Sequence, residues 1–232
     1  MSYAGPVTLL MFAMGCASAG SGAAAGDDEP IVDDGGLVED DAALPLDAMP
    51  MIDTPPPCVP TLTNLLVNGN FDGTPLGTGW TATPYQAGDA LVTNTAPLVQ
   101  SIPNVAWLGG IVSTVIGARA SDVLYADIAI PASASTPLAL TGFYELRTNE
   151  TSAASVYDEV KVELVSAAGV VLETALAKTN LDKTTVYTAL DKTFAATYAG
   201  QTVRLRMTSQ NDFSLPTSFY FDTLALNSTI CE

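Results

Sequence analysis

The sequence predicts an all-β protein, a jelly-roll β-sandwich preceded by a disordered N-terminal tail. Three observations carry this. From residue 58 onward the chain falls into about ten short apolar or alternating runs separated by Gly, Pro, Asn, Asp and Ser. No window of a dozen residues shows the 3.6-residue period of an amphipathic helix. Before residue 58 the composition is of a different kind, acidic and rich in proline and small residues, with too few apolar side chains to build a core.

The expected strands are Leu62–Val67, Ala90–Thr93, Val105–Leu108, Val123–Ile130, Leu138–Arg147, Glu159–Ser166, Val170–Ala177, Val186–Ala195, Thr202–Ser209 and Ser218–Leu226. Val203-Arg204-Leu205-Arg206-Met207 alternates as a half-buried strand should, and Phe219-Tyr220-Phe221 reads as a buried one. Strands in this number, with a turn signal between each pair, suit a two-sheet sandwich. The 232 residues hold one such domain and a tail.

The tail itself divides. Residues 6–15, Pro-Val-Thr-Leu-Leu-Met-Phe-Ala-Met-Gly, are apolar but too short to cross a bilayer. They fit the hydrophobic stretch of a signal peptide. Ala13-Met14-Gly15-Cys16 resembles a bacterial lipobox, which implies lipidation of Cys16 at the end of a 1–16 leader. Simple cleavage after Ala17-Ser18-Ala19 is the alternative. Residues 17–57 are expected to form an extended stalk. Ala, Gly and Ser come first, followed by ten acids, six prolines and no base over 27–57.

Charge narrows the partners. The chain has 25 acids and 8 bases, a net charge of −17, and its first base is Arg119. Nucleic-acid binding needs clustered Lys and Arg, so that class is excluded. No histidine occurs anywhere, which removes the commonest general base and transition-metal ligand. A Ser–His–Asp triad is therefore impossible. Asp158-Glu159 with Glu145 does not make a glycosidase pair, because neighbouring strand residues face opposite ways. The expectation is a protein without catalysis.

Three cysteines stand at 16, 58 and 231. With Cys16 assigned to the lipid, Cys58 and Cys231 bracket the folded region, and a disulfide between them would require adjacent first and last strands. Closing so long a loop stabilises by about 5 kcal/mol in the chain-entropy model. It also implies an oxidising compartment.

Asn64-Leu65-Leu66-Val67-Asn68-Gly69-Asn70-Phe71-Asp72, followed by Gly79-Trp80, resembles the opening of galactose-binding-like jelly rolls, a group that includes many carbohydrate-binding modules. Ala106-Trp107-Leu108-Gly109-Gly110, Tyr157-Asp158-Glu159-Val160-Lys161-Val162, Tyr198-Ala199-Gly200-Gln201-Thr202-Val203-Arg204-Leu205 and Ser218–Leu226 continue the likeness. It covers about residues 61–228 and is similar to modules appended to secreted bacterial peptidases. The resemblance implies a structural Ca²⁺ between Asp72 and Asp222, assisted by Asn68 and Asn70, since hard oxygen ligands suit that ion. Turn carboxylates bonded to backbone amides are the alternative. It also implies that Trp80 and Trp107 pack inward; Tyr85, Tyr144, Tyr187 and Phe213, in or beside loops or at polar strand positions, are the candidate exposed ligand-binding aromatics.

The function expected is a non-catalytic cell-surface binding or adhesion module, a lipoprotein recognising a glycan or an envelope protein. Its contact with the membrane would run only through the N-terminal lipid. A structural envelope spacer and an accessory domain of a separately encoded peptidase are the rival expectations.

Overall fold

The structure is a computed structural model and describes residues 58–231. The expected leader, the expected lipid-bearing Cys16 and the expected stalk lie outside the described residues.

Eleven strands form two antiparallel sheets, an all-β sandwich. In chain order they are β1 (Pro60–Asn64), β2 (Thr81–Thr83), β3 (Val92–Thr93), β4 (Val105–Gly109), β5 (Ala120–Ala129), β6 (Ala139–Thr148), β7 (Glu159–Ser166), β8 (Val171–Thr179), β9 (Thr188–Thr193), β10 (Thr202–Asn211) and β11 (Thr217–Cys231). One sheet runs β3-β4-β11-β6-β9, with β1 beside β11; the other runs β2-β5-β10-β7-β8. All ten expected strands are present, and β2 is an addition.

Side-chain parity builds the core. On β10, Val203, Leu205 and Met207 turn inward, while Arg204 and Arg206 turn outward to Asp127 and Glu163, each at 2.7 Å. On β11, Phe219 and Phe221 are fully buried against Leu108, Leu140 and Leu146 of the same sheet's inner face and the apolar face of the other sheet. The aromatic pair dominates this interior, since large rings remove the most apolar surface from water.

Two boundaries differ from expectation for local reasons. β1 ends at Asn64, whose side-chain oxygen accepts from Leu66 N and Leu226 N, both at 3.0 Å. That bond turns the chain so that Leu66 enters the core while Val67 stays exposed. β11 continues to Cys231 because its tail keeps alternating. Ser228 takes an inward position there, and its hydroxyl is satisfied by the Thr136 carbonyl at 3.0 Å.

β1 and the end of β11 pair in register from Asn64↔Asn227 to Pro60↔Cys231. Cys58 and Cys231 are joined by a disulfide, with Cα atoms 5.2 Å apart. The cross-link expected from the cysteine positions is therefore present, between neighbouring first and last strands.

Candidate functional site

β4 is the strand that positions the site. Ala106 and Leu108 face the core, so Trp107 between them must face outward. Its ring stacks on Tyr220 of the neighbouring β11 at 5.7 Å between centroids. β4 then ends in two consecutive left-handed glycines, Gly109 (φ +70°) and Gly110 (φ +73°). A Cβ at Gly109 would run into the Thr217 carbonyl oxygen, and one at Gly110 would press on the Trp107 indole. Bare backbone is required at both.

Beside this turn opens a cleft of about 400 Å³, lined by Trp107, Gln86, Asp89, Thr93, Thr95 and Asp122 together with the two glycines. That volume lies in the range of small-molecule sites. Asp122 closes its inner wall. It shares the inward parity of Leu124, Ala126 and Ile128 on β5 and is buried. Its carboxylate accepts from Gly109 N at 2.7 Å, Tyr85 N at 2.8 Å and Ser209 Oγ at 3.4 Å. With both oxygens engaged, Asp122 is a fixed wall rather than a free base. Asp89, by contrast, is exposed, with no hydrogen-bonded or ionic side-chain partner among the described residues. No Lys or Arg lines the cleft.

The candidate aromatics fall in different places. Tyr85 sits next to the cleft, its N–H on Asp122 and its hydroxyl 3.2 Å from Thr114 Oγ1. Hydrogen bonds from Thr114 and Ser113 hold that hydroxyl below the usual tyrosine range. Tyr187 is half-buried and donates to Leu98 O at 3.3 Å, and burial pushes its hydroxyl well up. Phe213 is exposed on the loop before β11. Tyr144 corrects the expectation of exposure: it is 8% exposed and belongs to the core. Its parity is that of Leu140 and Leu146, so Tyr144 faces in, while Glu145, on the opposite face of the strand, is itself buried and pairs with the exposed Arg147.

The two tryptophans also part. Trp80 packs on Phe71, with centroids 5.1 Å apart, and donates to Asn68 O at 2.9 Å, in line with an inward structural role. Trp107 instead lines the cleft, so its inward assignment is corrected. The signal was available: Ala106 and Leu108 are the apolar pair of an alternating strand.

Asp72 and Asp222 each hold backbone amides. Asp222, fully buried, accepts from Gln100 N (3.1 Å), Ser101 N (2.8 Å), Ser101 Oγ (3.0 Å) and Thr223 N (2.6 Å). Burial raises its carboxyl above the ordinary range, and these bonds offset part of that. Asp72 accepts from Asn104 N (3.1 Å) and from Asn70 Nδ2 (2.9 Å). Asn68 donates to Thr78 O and accepts from Gly73 N, both at 2.7 Å, which ties the loop that leads to Trp80. The four residues clamp the segment 100–104 and the loop 68–78; a Ca²⁺ at Asp222 would have to replace N–H donors now in place.

A grouping not expected from the sequence brings carboxylate oxygens of Glu150, Asp158 and Asp212 within 4.8 Å of one another. Asp158 is fully buried and accepts from Asp212 N at 2.9 Å and Thr217 Oγ1 at 2.6 Å. Burial raises its carboxyl as well. Glu150 and Asp158 lie on the loop between β6 and β7 and Asp212 on the loop between β10 and β11, and no local pattern joins the two loops.

No family model matches the chain, and no curated protein does. Among solved structures it is similar to TmCBM61 in complex with β-1,4-galactotriose (10% identity, TM-score 0.46, 71% of this chain and 97% of that one). A cyclase from Fischerella sp. in apo form is similar over 74% of this chain and 98% of its own (16% identity, TM-score 0.47). So is a family 16 carbohydrate-binding module (16% identity, TM-score 0.40, 70% of this chain and 99% of that one). Binding modules and an enzyme thus stand side by side, and similarity at this level leaves the ligand to be argued from the residues.

Proposed function

We propose that this chain is a non-catalytic binding module that takes a sugar in the cleft beside Trp107. The observation that carries the reading is an outward-facing tryptophan beside carboxylates, threonine hydroxyls and a glutamine amide, with no base in the lining. A pyranose ring offers an apolar face for the indole and several hydroxyl donors for acceptor-rich walls. An anionic ligand would meet Asp89 and Asp122 with nothing to neutralise it. Three donors hold Asp122 in place as part of the cleft wall.

Export and attachment to the cell envelope through Cys16, on an acidic stalk ending at residue 57, complete the proposal. The Cys58–Cys231 bond supports an oxidising compartment.

Calorimetric titration with neutral oligosaccharides selected on a glycan array tests the sugar reading. Trp107→Ala should weaken binding at least about tenfold, as loss of a central aromatic anchor does. Undiminished binding in that variant, with the fold intact by circular dichroism, would remove the cleft as the site.

A further inference from the structure

The cleft's polar wall is one-sided. Asp89 and Asp122 are its only charged side chains, and they play different parts. Asp122 is buried with its oxygens occupied by Tyr85 N, Gly109 N and Ser209 Oγ. Asp89 sits at the exposed mouth, held by a backbone turn in which its N–H donates to Gln86 O at 3.1 Å, with its carboxylate free of partners among the described residues. The chain supplies no cation to it from the preceding residues either, since the first base is Arg119. A carboxylate without a partner among the described residues and an indole lining the same cleft are a combination that favours a positively charged group: the carboxylate accepts N⁺–H bonds and the ring quadrupole attracts the same charge.

We propose, resting on the sugar reading above, that the preferred ligand is an amino sugar carrying a free, protonated amine, as in a deacetylated hexosamine polymer, and that Asp89 is the residue that selects it. The ring stacks on Trp107, the ammonium group meets Asp89, and remaining hydroxyls face Thr93, Thr95 and Gln86. An N-acetylated unit forfeits the charge, and a uronic acid reverses it.

The test compares calorimetric titrations with oligomers of glucosamine, N-acetylglucosamine, glucose and glucuronic acid, at about 50 mM and about 500 mM salt. The wild type should bind the glucosamine oligomer roughly fivefold tighter than the glucose oligomer at low salt, with the margin shrinking at high salt. Asp89→Asn should abolish the margin between the glucosamine and glucose oligomers. Asp191→Asn, an exposed acid on β9, should leave the margin intact. An equal loss in Asp191→Asn would mean that overall negative charge, not Asp89, attracts the amine, and would overturn the assignment. Glucose and glucosamine oligomers binding equally in the wild type would overturn the amine preference while leaving the sugar cleft standing. Failure of every oligomer to bind would overturn both.

Discussion

The Gly109 N–H donates to Asp122 Oδ2 at 2.7 Å, joining β4 of one sheet to β5 of the other across the mouth of the sandwich. The bond links two residues that could not meet within either sheet, and it fixes the glycine turn on which the cleft depends. Asp122→Ala should strand three donors, of which the Ser209 hydroxyl is buried. The expected loss is about 3 kcal/mol in urea unfolding, with sugar binding lost in parallel. A loss below about 1 kcal/mol would show that water replaces the carboxylate without cost.

Tyr144 and Phe213 make a contrasting pair. Tyr144 is in the core, so Tyr144→Ala should destabilise by about 3 kcal/mol. Phe213, 48% exposed, should cost less than about 1 kcal/mol on the same change. Equal effects in chemical denaturation would contradict the parity assigned to β6.

Asp158 gives a pH signature. Burial raises its folded-state carboxyl above the ordinary value, with the Thr217 and Asp212 hydrogen bonds opposing. The folded state therefore holds this proton more tightly than the unfolded one. The resulting stabilisation is complete below about pH 4 and is lost as pH rises through the folded value. Asp158→Asn should flatten that part of the stability profile relative to wild type. Superimposable profiles over pH 4–7 would mean that Asp158 titrates alike in both states.

The calcium expectation can be tested at Asp222. A clamp of N–H and O–H donors predicts a melting temperature indifferent to Ca²⁺ and to chelator. A rise with Ca²⁺ that disappears in Asp222→Asn would instead show that the ion displaces the Gln100, Ser101 and Thr223 donors. In either case Asp222→Ala should destabilise by roughly 2–4 kcal/mol through the buried amides it abandons.

Much of this was written in the sequence. Alternation at Val203–Met207 gave β10 and its two faces, and the cysteine positions gave the paired first and last strands. The same parity could have placed Asp122 inward, through Leu124, Ala126 and Ile128, and Trp107 outward. Trp107 was hidden because the resemblance to galactose-binding-like jelly rolls implied an inward position for it. The meeting of Asp89, Thr95 and Asp122 was not legible at all, because it depends on how the loop after β2 folds over the end of β4. The grouping of Asp212 with Glu150 and Asp158 likewise arises from the β6–β7 and β10–β11 loops meeting, a tertiary fact with no local pattern.

The bond between Cys58 and Cys231 has a mechanical consequence. β4 carries Trp107 and pairs with β11, and β11 ends at Cys231. A pull on a ligand held at Trp107, resisted at Cys58, passes sideways through the β4–β11 ladder, along β11, and across one covalent link. The β4–β11 ladder thus bears the load before it reaches β11, and β1 is relieved of the strain because the sulfur bridge bypasses it. Tension applied only between the two cysteines would not extend the sandwich.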